Sequence, residues 1–148
     1  MNKTLRKKIF PSGIEIQLIQ GDITLADVEC IVNPANQYLM HGGGLAGLLA
    51  DKAGPDLEKE SDAWVKEHGF VSHENPAYTS AGDLPFRYII HAVGPIWGTG
   101  NEKNKLEAAV TGAIQLSEKL GIQSLAMPAI STGIFGYPLK DASLVILN

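Results

Sequence analysis

The chain has 148 residues, 45% of them hydrophobic and 19% charged, which suits one domain, spanning 1–148, with a full core. Its net charge of −4 argues against a general nucleic-acid binder, because neutralising phosphates needs a surplus of Lys and Arg. One cysteine excludes an internal disulfide, and no apolar run reaches the roughly 18 residues of a membrane span.

Lys3, Arg6, Lys7 and Lys8 form a small basic run that reads as a solvated terminus. Lys8–Phe10, Pro11-Ser12-Gly13 and Ile14–Gln20 read as a hairpin, with Gly13 supplying the positive φ of the turn. In its second strand Ile14, Ile16 and Leu18 share one face, the alternation of a strand near a sheet edge. Glu29–Asn33 reads as an interior strand, apolar on both faces at Ile31 and Val32. Cys30 within it reads as a buried structural thiol, which suits a reducing, cytoplasmic location.

Leu45–Ala53 and Asp56–Glu67 read as helices divided by Gly54-Pro55, the second stopped at His68-Gly69. Ala77–Ser80 and Arg87–Val93 read as strands. Glu102–Leu120 is the longest helix, with Leu106, Ala109, Val110, Ala113, Ile114, Leu116 and Leu120 as its apolar stripe. Ser124–Met127 reads as a strand cut short by Pro128. Strands alternating with helices predict a three-layer α/β/α domain with a mixed sheet.

Four segments do not read as packing elements. Gly21-Asp22-Ile23-Thr24 directly follows a strand, where open α/β sheets place ligands. Asp22 reads either as a ligand contact or as the cap of a short helix formed with Thr24. Asn33-Pro34-Ala35-Asn36 also ends a strand, and the Asn36 amide could bond sugar hydroxyls or merely satisfy a turn. His41-Gly42-Gly43-Gly44 leads into a helix start, where backbone N–H groups and the helix dipole favour an anion. It matches neither the G-x-G-x-x-G pattern nor a P-loop. Ser131-Thr132-Gly133-Ile134-Phe135-Gly136 is a second glycine loop with an aromatic at its tip, and Phe135 reads as a stacking residue or a buried anchor. Two such loops at one end of a sheet fit a diphosphate held between two sugars.

Gly21–Thr24, Val32–Asn36, His41–Gly47, His91–Pro95 and Pro128–Pro138, in that order, resemble the macrodomain family, and they span most of the sequence from Ile14 onward. The resemblance implies that the protein binds ADP-ribose or ADP-ribosylated proteins, with no cofactor expected; the four histidines and one cysteine show no metal-ligand spacing, so no metal is expected either. It implies that Asp22 accepts the adenine amino group and that the Ile23 backbone donates to the ring. Asn36 would hold the distal ribose, with His41 near it and Phe135 against it. Gly43, Gly44, Leu45 and Ala46, with Ser131, Thr132, Gly133, Ile134, Phe135 and Gly136, would bind the phosphates, and Val93-Gly94-Pro95 would underlie the cleft. His91, inside a strand, reads instead as a satisfied core histidine, and His68 and His73 as loop or helix-end residues.

Family members are mono-ADP-ribosyl hydrolases or non-catalytic readers, and the resemblance leaves both open, with Asn36, His41 and Phe135 as the residues that would serve catalysis. Binding of polymeric ADP-ribose or RNA is a weaker third reading, suggested by the basic N-terminus. Some hydrolytic members carry an aspartate just after the glycine run, where this sequence has Ala46, so catalysis cannot lean on an aspartate there. In this respect it resembles the HGGGVAG-type branch, which includes readers and hydrolases alike. Family members usually continue through a further helix, a strand and a last helix. Lys140–Leu147 reads as the start of a helix, which implies a domain that falls short of that pattern at its C-terminus.

Overall fold

A computed structural model describes residues 2–147. Strands β1 (Lys3–Ile9) and β2 (Glu15–Gln20) form an antiparallel hairpin that turns through Gly13 at φ 90°. Strands β3 (Cys30–Pro34), β4 (Ala77–Thr79), β5 (Tyr88–Ala92) and β6 (Leu125–Ala126) form a second sheet in the order β4-β5-β3-β6. β3 runs parallel to β5 and β6, and β4 runs antiparallel to β5, so this sheet is mixed. The helices are α1 (Gly44–Ala53), α2 (Pro55–His68), α3 (Glu102–Lys119) and α4 (Leu139–Ile146).

The alternation of β3 and β5 builds the three layers. Cys30, Val32, Ile90 and Ala92 pack on one face with Leu106, Val110 and Ala113 of α3 and Ala142 of α4. Ile31 and Ile89 point the other way, against Leu49, Ala50 and Ala53 of α1 and Leu57 of α2. With helices on both faces, β3 has no solvated side, which is why its sequence is apolar at consecutive positions. Burial pushes the Cys30 thiol up to about 12, in keeping with a structural thiol.

Three expectations are corrected. β1 starts at Lys3, so Arg6, Lys7 and Lys8 belong to a paired strand, where they remain exposed. β2 alternates as expected, yet neither face is buried: among the described residues it pairs with β1 alone, and Ile16, Leu18 and Ile19 are all exposed. Two strands provide no third element against which an apolar face could be covered. Ile114, expected in the apolar stripe of α3, is exposed, while Gly112 and Ser117 are buried in its place.

Candidate functional site

The parallel strands end in loops that meet in one cleft. β3 runs out through Pro34-Ala35-Asn36, β5 through Val93-Gly94 and β6 through Pro128–Phe135. Together with Met40 and Gly42–Ala46, these loops enclose about 610 Å³, within the range of small-molecule sites. The expected residues Asn36, Gly43, Gly44, Leu45, Ala46, Ser131, Thr132, Gly133, Ile134 and Phe135 all line this space. Asp22, Ile23, His41 and Gly136 do not.

Glycine at the start of α1 provides one set of donors. Gly43 precedes the helix in an extended conformation and caps it with no side-chain bond. The first-turn N–H groups of α1 therefore have no intrahelical partner, and the helix dipole adds positive potential there. The second loop provides another set. The N–H groups of Gly133, Ile134 and Phe135 make no hydrogen bond among the described residues. The loop is held by others: Thr132 N–H to the Ala129 carbonyl, Gly136 N–H to the Gly133 carbonyl and Tyr137 N–H to the Ser131 carbonyl. Phe135 is half-buried, and its carbonyl accepts from Trp97 N–H at 2.8 Å, which ties the loop tip to the segment after β5. Ile134 is 83% exposed, and its Cδ1 atom stands 3.6 Å from where a side chain on Gly43 would begin, so the two loops approach each other across the cleft.

Ser131 adopts φ 69°, a left-handed conformation that a non-glycine residue holds only when its surroundings enforce it. Gly94 is the reason it can. A Cβ on Gly94 would collide with Ser131 Oγ and lie 2.6 Å from Ile130 Cγ2. Gly94→Ala is therefore expected to displace the second loop and to cost about 1–3 kcal/mol, as overpacking does. A urea unfolding midpoint equal to that of the native protein would contradict this close approach.

Asn36 is half-buried and already engaged. Its Oδ1 accepts from the N–H groups of Tyr38 and Met40, each at 3.1 Å, and its Nδ2 donates to the Met40 carbonyl at 2.8 Å. These bonds shape the turn that holds Leu39 at φ 52°. One Nδ2 hydrogen of Asn36 is left for a ligand. Asp22 caps a short 3-10 turn at Ile23–Leu25: its Oδ1 accepts from Thr24 N–H at 2.9 Å and from Thr24 Oγ1 at 2.6 Å. Those bonds, and then Lys52 Nζ at 3.6 Å, hold its carboxyl below the usual aspartate range. Ile23 packs against the same core cluster as Leu45.

His41 lies just behind the glycine loop rather than in it. Its Nε2 is 3.0 Å from Ser61 Oγ and its Nδ1 3.3 Å from Asn33 Nδ2. Burial lowers its pKa, against the opposing pull of Glu58 and Asp62. His91 is fully buried and bonded at both ring nitrogens, as a core histidine should be. His68 ends α2, and His73 bonds the Val93 carbonyl from a loop. No cluster of three His, Cys, Asp or Glu side chains suited to a metal occurs among the described residues. Among them, too, no helix is long and apolar enough to cross a membrane.

Gly42, from the first glycine loop, lines the cleft as well, and so do Met40, Pro128 and Ala129, none of them an expected ligand contact. Their part is backbone shape, for which residue type is a weak signal; the Pro128 that cuts β6 short is the one available clue.

A family model described as Macro domain matches residues 32–146. An uncharacterised protein of Saccharolobus solfataricus is 48% identical over 138 residues, which make up 93% of this chain and 77% of that one. An Oceanobacillus iheyensis macrodomain with ADP is similar at a TM-score of 0.92 and 32% identity, over 99% of this chain and 79% of that one. A Trypanosoma brucei macrodomain in complex with ADP-ribose is similar at a TM-score of 0.78 and 31% identity, over 86% of this chain and 52% of that one.

Proposed function

Since the protein belongs to the macro domain family, we propose that it binds ADP-ribose across its two glycine loops and releases mono-ADP-ribose from acidic side chains or small esters. The observation that carries this reading is the pair of unpaired backbone donor sets facing one cleft, the α1 N-terminus and the loop Gly133–Phe135. Such donors suit a diphosphate, whose charge is spread over several oxygens. The free Asn36 N–H meets the distal ribose, Phe135 closes on that sugar, and Asp22 and Ile23 face adenine. The ligands of the related Oceanobacillus and Trypanosoma macrodomains support the ligand class.

The reaction needs no protein nucleophile. A water held by a substrate phosphate attacks the anomeric carbon, the bond from that carbon to the carboxylate oxygen breaks, and the water's proton leaves to solvent or to the released carboxylate. The protein's share is orientation and electrostatic stabilisation. A second reading, a reader of ADP-ribosylated proteins, is favoured by one observation: among the described residues no ionisable side chain lines the cleft.

Two measurements test this. ADP-ribose is expected to bind in titration calorimetry at least about tenfold more tightly than AMP, because AMP forgoes the second phosphate and the distal ribose. Equal affinities would sink the two-loop site. Incubation with a glutamate-ADP-ribosylated protein should release free ADP-ribose. Tight binding without release would mean that the protein is a reader.

A further inference from the structure

Behind the glycine loop, five polar side chains form one hydrogen-bonded series that the proposed reaction does not use. Asn33 Nδ2 is 2.9 Å from His91 Nδ1 and 3.3 Å from His41 Nδ1. His91 Nε2 is 2.9 Å from Thr79 Oγ1, which donates to the Ser80 carbonyl at 2.9 Å. His41 Nε2 reaches Ser61 Oγ on α2 at 3.0 Å. Asn33, His91 and Ser61 are fully buried, and Thr79 is nearly so. The parallel register that sets Asn33 beside His91 creates this cluster.

The series of bonds has a direction. An amide nitrogen carries two hydrogens and accepts nothing, so with Asn33 Nδ2 at the centre both Nδ1 atoms accept. Both imidazoles are then neutral with the proton on Nε2, and these protons go to Thr79 and Ser61. Turning the amide would put Oδ1 at the centre and both protons on Nδ1. His91 Nε2 would then take the Thr79 hydroxyl hydrogen, and the Ser80 carbonyl would lose its donor. The first arrangement satisfies one more group, although Asn33 Oδ1 is left without a partner among the described residues.

We propose that Asn33 is the positioning residue of the glycine loop: its amide sets the tautomer of His41, and the His41–Ser61 bond then pins the backbone where it enters Gly42–Gly44. His41 immediately precedes those glycines, and its carbonyl and Gly42 pack under Gly47 of α1. The first-turn donors of α1 are thereby tied to α2 and to β3 through uncharged groups. A proton added to His41 Nδ1 would face the Asn33 N–H, so the amide must turn and His91 must change tautomer with it. Around His41, Glu58 and Asp62 of α2 favour that proton, while burial opposes it; His91 of β5, stacked at 5.1 Å, is neutral. The effect of this device on ligand affinity rests on the ADP-ribose reading; its effect on the loop does not.

The test uses the whole protein labelled with 15N, followed by NMR from about pH 5 to pH 8, the range in which histidines titrate. Native His41 and His91 are expected as neutral Nε2–H tautomers at neutral pH, and the Gly42, Gly43 and Gly44 amide signals should shift with the His41 midpoint. In Asn33→Asp, whose carboxylate only accepts, both rings should carry Nδ1–H. The same glycine signals should move, and ADP-ribose affinity should fall about tenfold, the loss that one misplaced hydrogen bond entails. Ser61→Ala should shift the glycine signals without charging Asn33, and it decides the matter if Asn33→Asp does not fold. An unchanged His41 tautomer in Asn33→Asp, or glycine signals indifferent to the His41 titration, would overturn the proposal. Loss of ADP-ribose binding in the native protein would overturn the functional reading instead and leave the NMR readouts decisive.

Discussion

At saturating substrate, Asn36→Ala is expected to release ADP-ribose from a modified acidic side chain about a hundredfold more slowly than the native protein, the loss typical of a misplaced reacting centre. The Asn36 amide spends three of its bonds on its own turn and keeps one N–H at the cleft wall. A single neutral donor supplies at most about tenfold in ground-state affinity, so the larger part of the loss should fall on turnover. The turn is the complication, since alanine would loosen the bonds to Tyr38 and Met40 as well. Asn36→Asp separates the two roles, because a carboxylate still accepts from both backbone N–H groups but has no hydrogen to give. It should be as slow as the alanine variant. Near-native turnover in Asn36→Asp would mean that the turn matters and the donor does not.

The second large effect is on stability in mild acid. Burial pushes the His91 imidazole down to about 3 and also lowers His41. An unfolded polypeptide takes up the His91 proton near pH 6.5, while the native protein refuses it until about pH 3. The unfolded state therefore binds more protons throughout that window, and stability falls as the pH is lowered through it. By about pH 5, before most carboxylates take up protons, His91 alone should have removed roughly 2 kcal/mol, at 1.36 kcal/mol per unit. That is a large part of the 5–15 kcal/mol that stabilises a typical domain. Urea midpoints measured from about pH 7 to pH 5 should fall steadily, and His91→Gln, an uncharged side chain that donates and accepts, should flatten most of the slope, leaving mainly the part from His41. A native midpoint that stays constant over this range would show that His91 takes up its proton in the folded state.

Much of the site is legible in the sequence because its signals are local. Gly42–Gly44 before a helix start and Gly133–Gly136 after a strand can be read from spacing alone, since backbone donors need small residues that let a ligand approach. Asp22 reads two ways, and the cap geometry shows that at least one of them is realised. His41 is harder. The family resemblance implies a place near the distal ribose, yet His41 is held by Ser61, twenty residues on, and by Asn33. Periodicity within one segment gives no warning of a partner on another helix.

The sequence by itself determined most of the strands and helices, the start of β1 at Lys3 being the exception, because apolar spacing, Gly-Pro breaks and turn residues act over a few neighbours. It also determined that the glycine loops follow strand ends, since the order of elements decides that. Only the tertiary structure decided which faces are covered. β2 alternates like a half-buried strand, yet both strands of the hairpin are exposed on both sides. Asn33, at the end of an apolar strand, became the centre of a buried polar cluster because β5 aligns His91 beside it and β4 brings Thr79 within reach. His91 and Thr79 are 58 and 46 residues away from Asn33 in the sequence, and burying the Asn33 Nδ2 group is tolerable because groups that distant accept its hydrogens or complete the cluster.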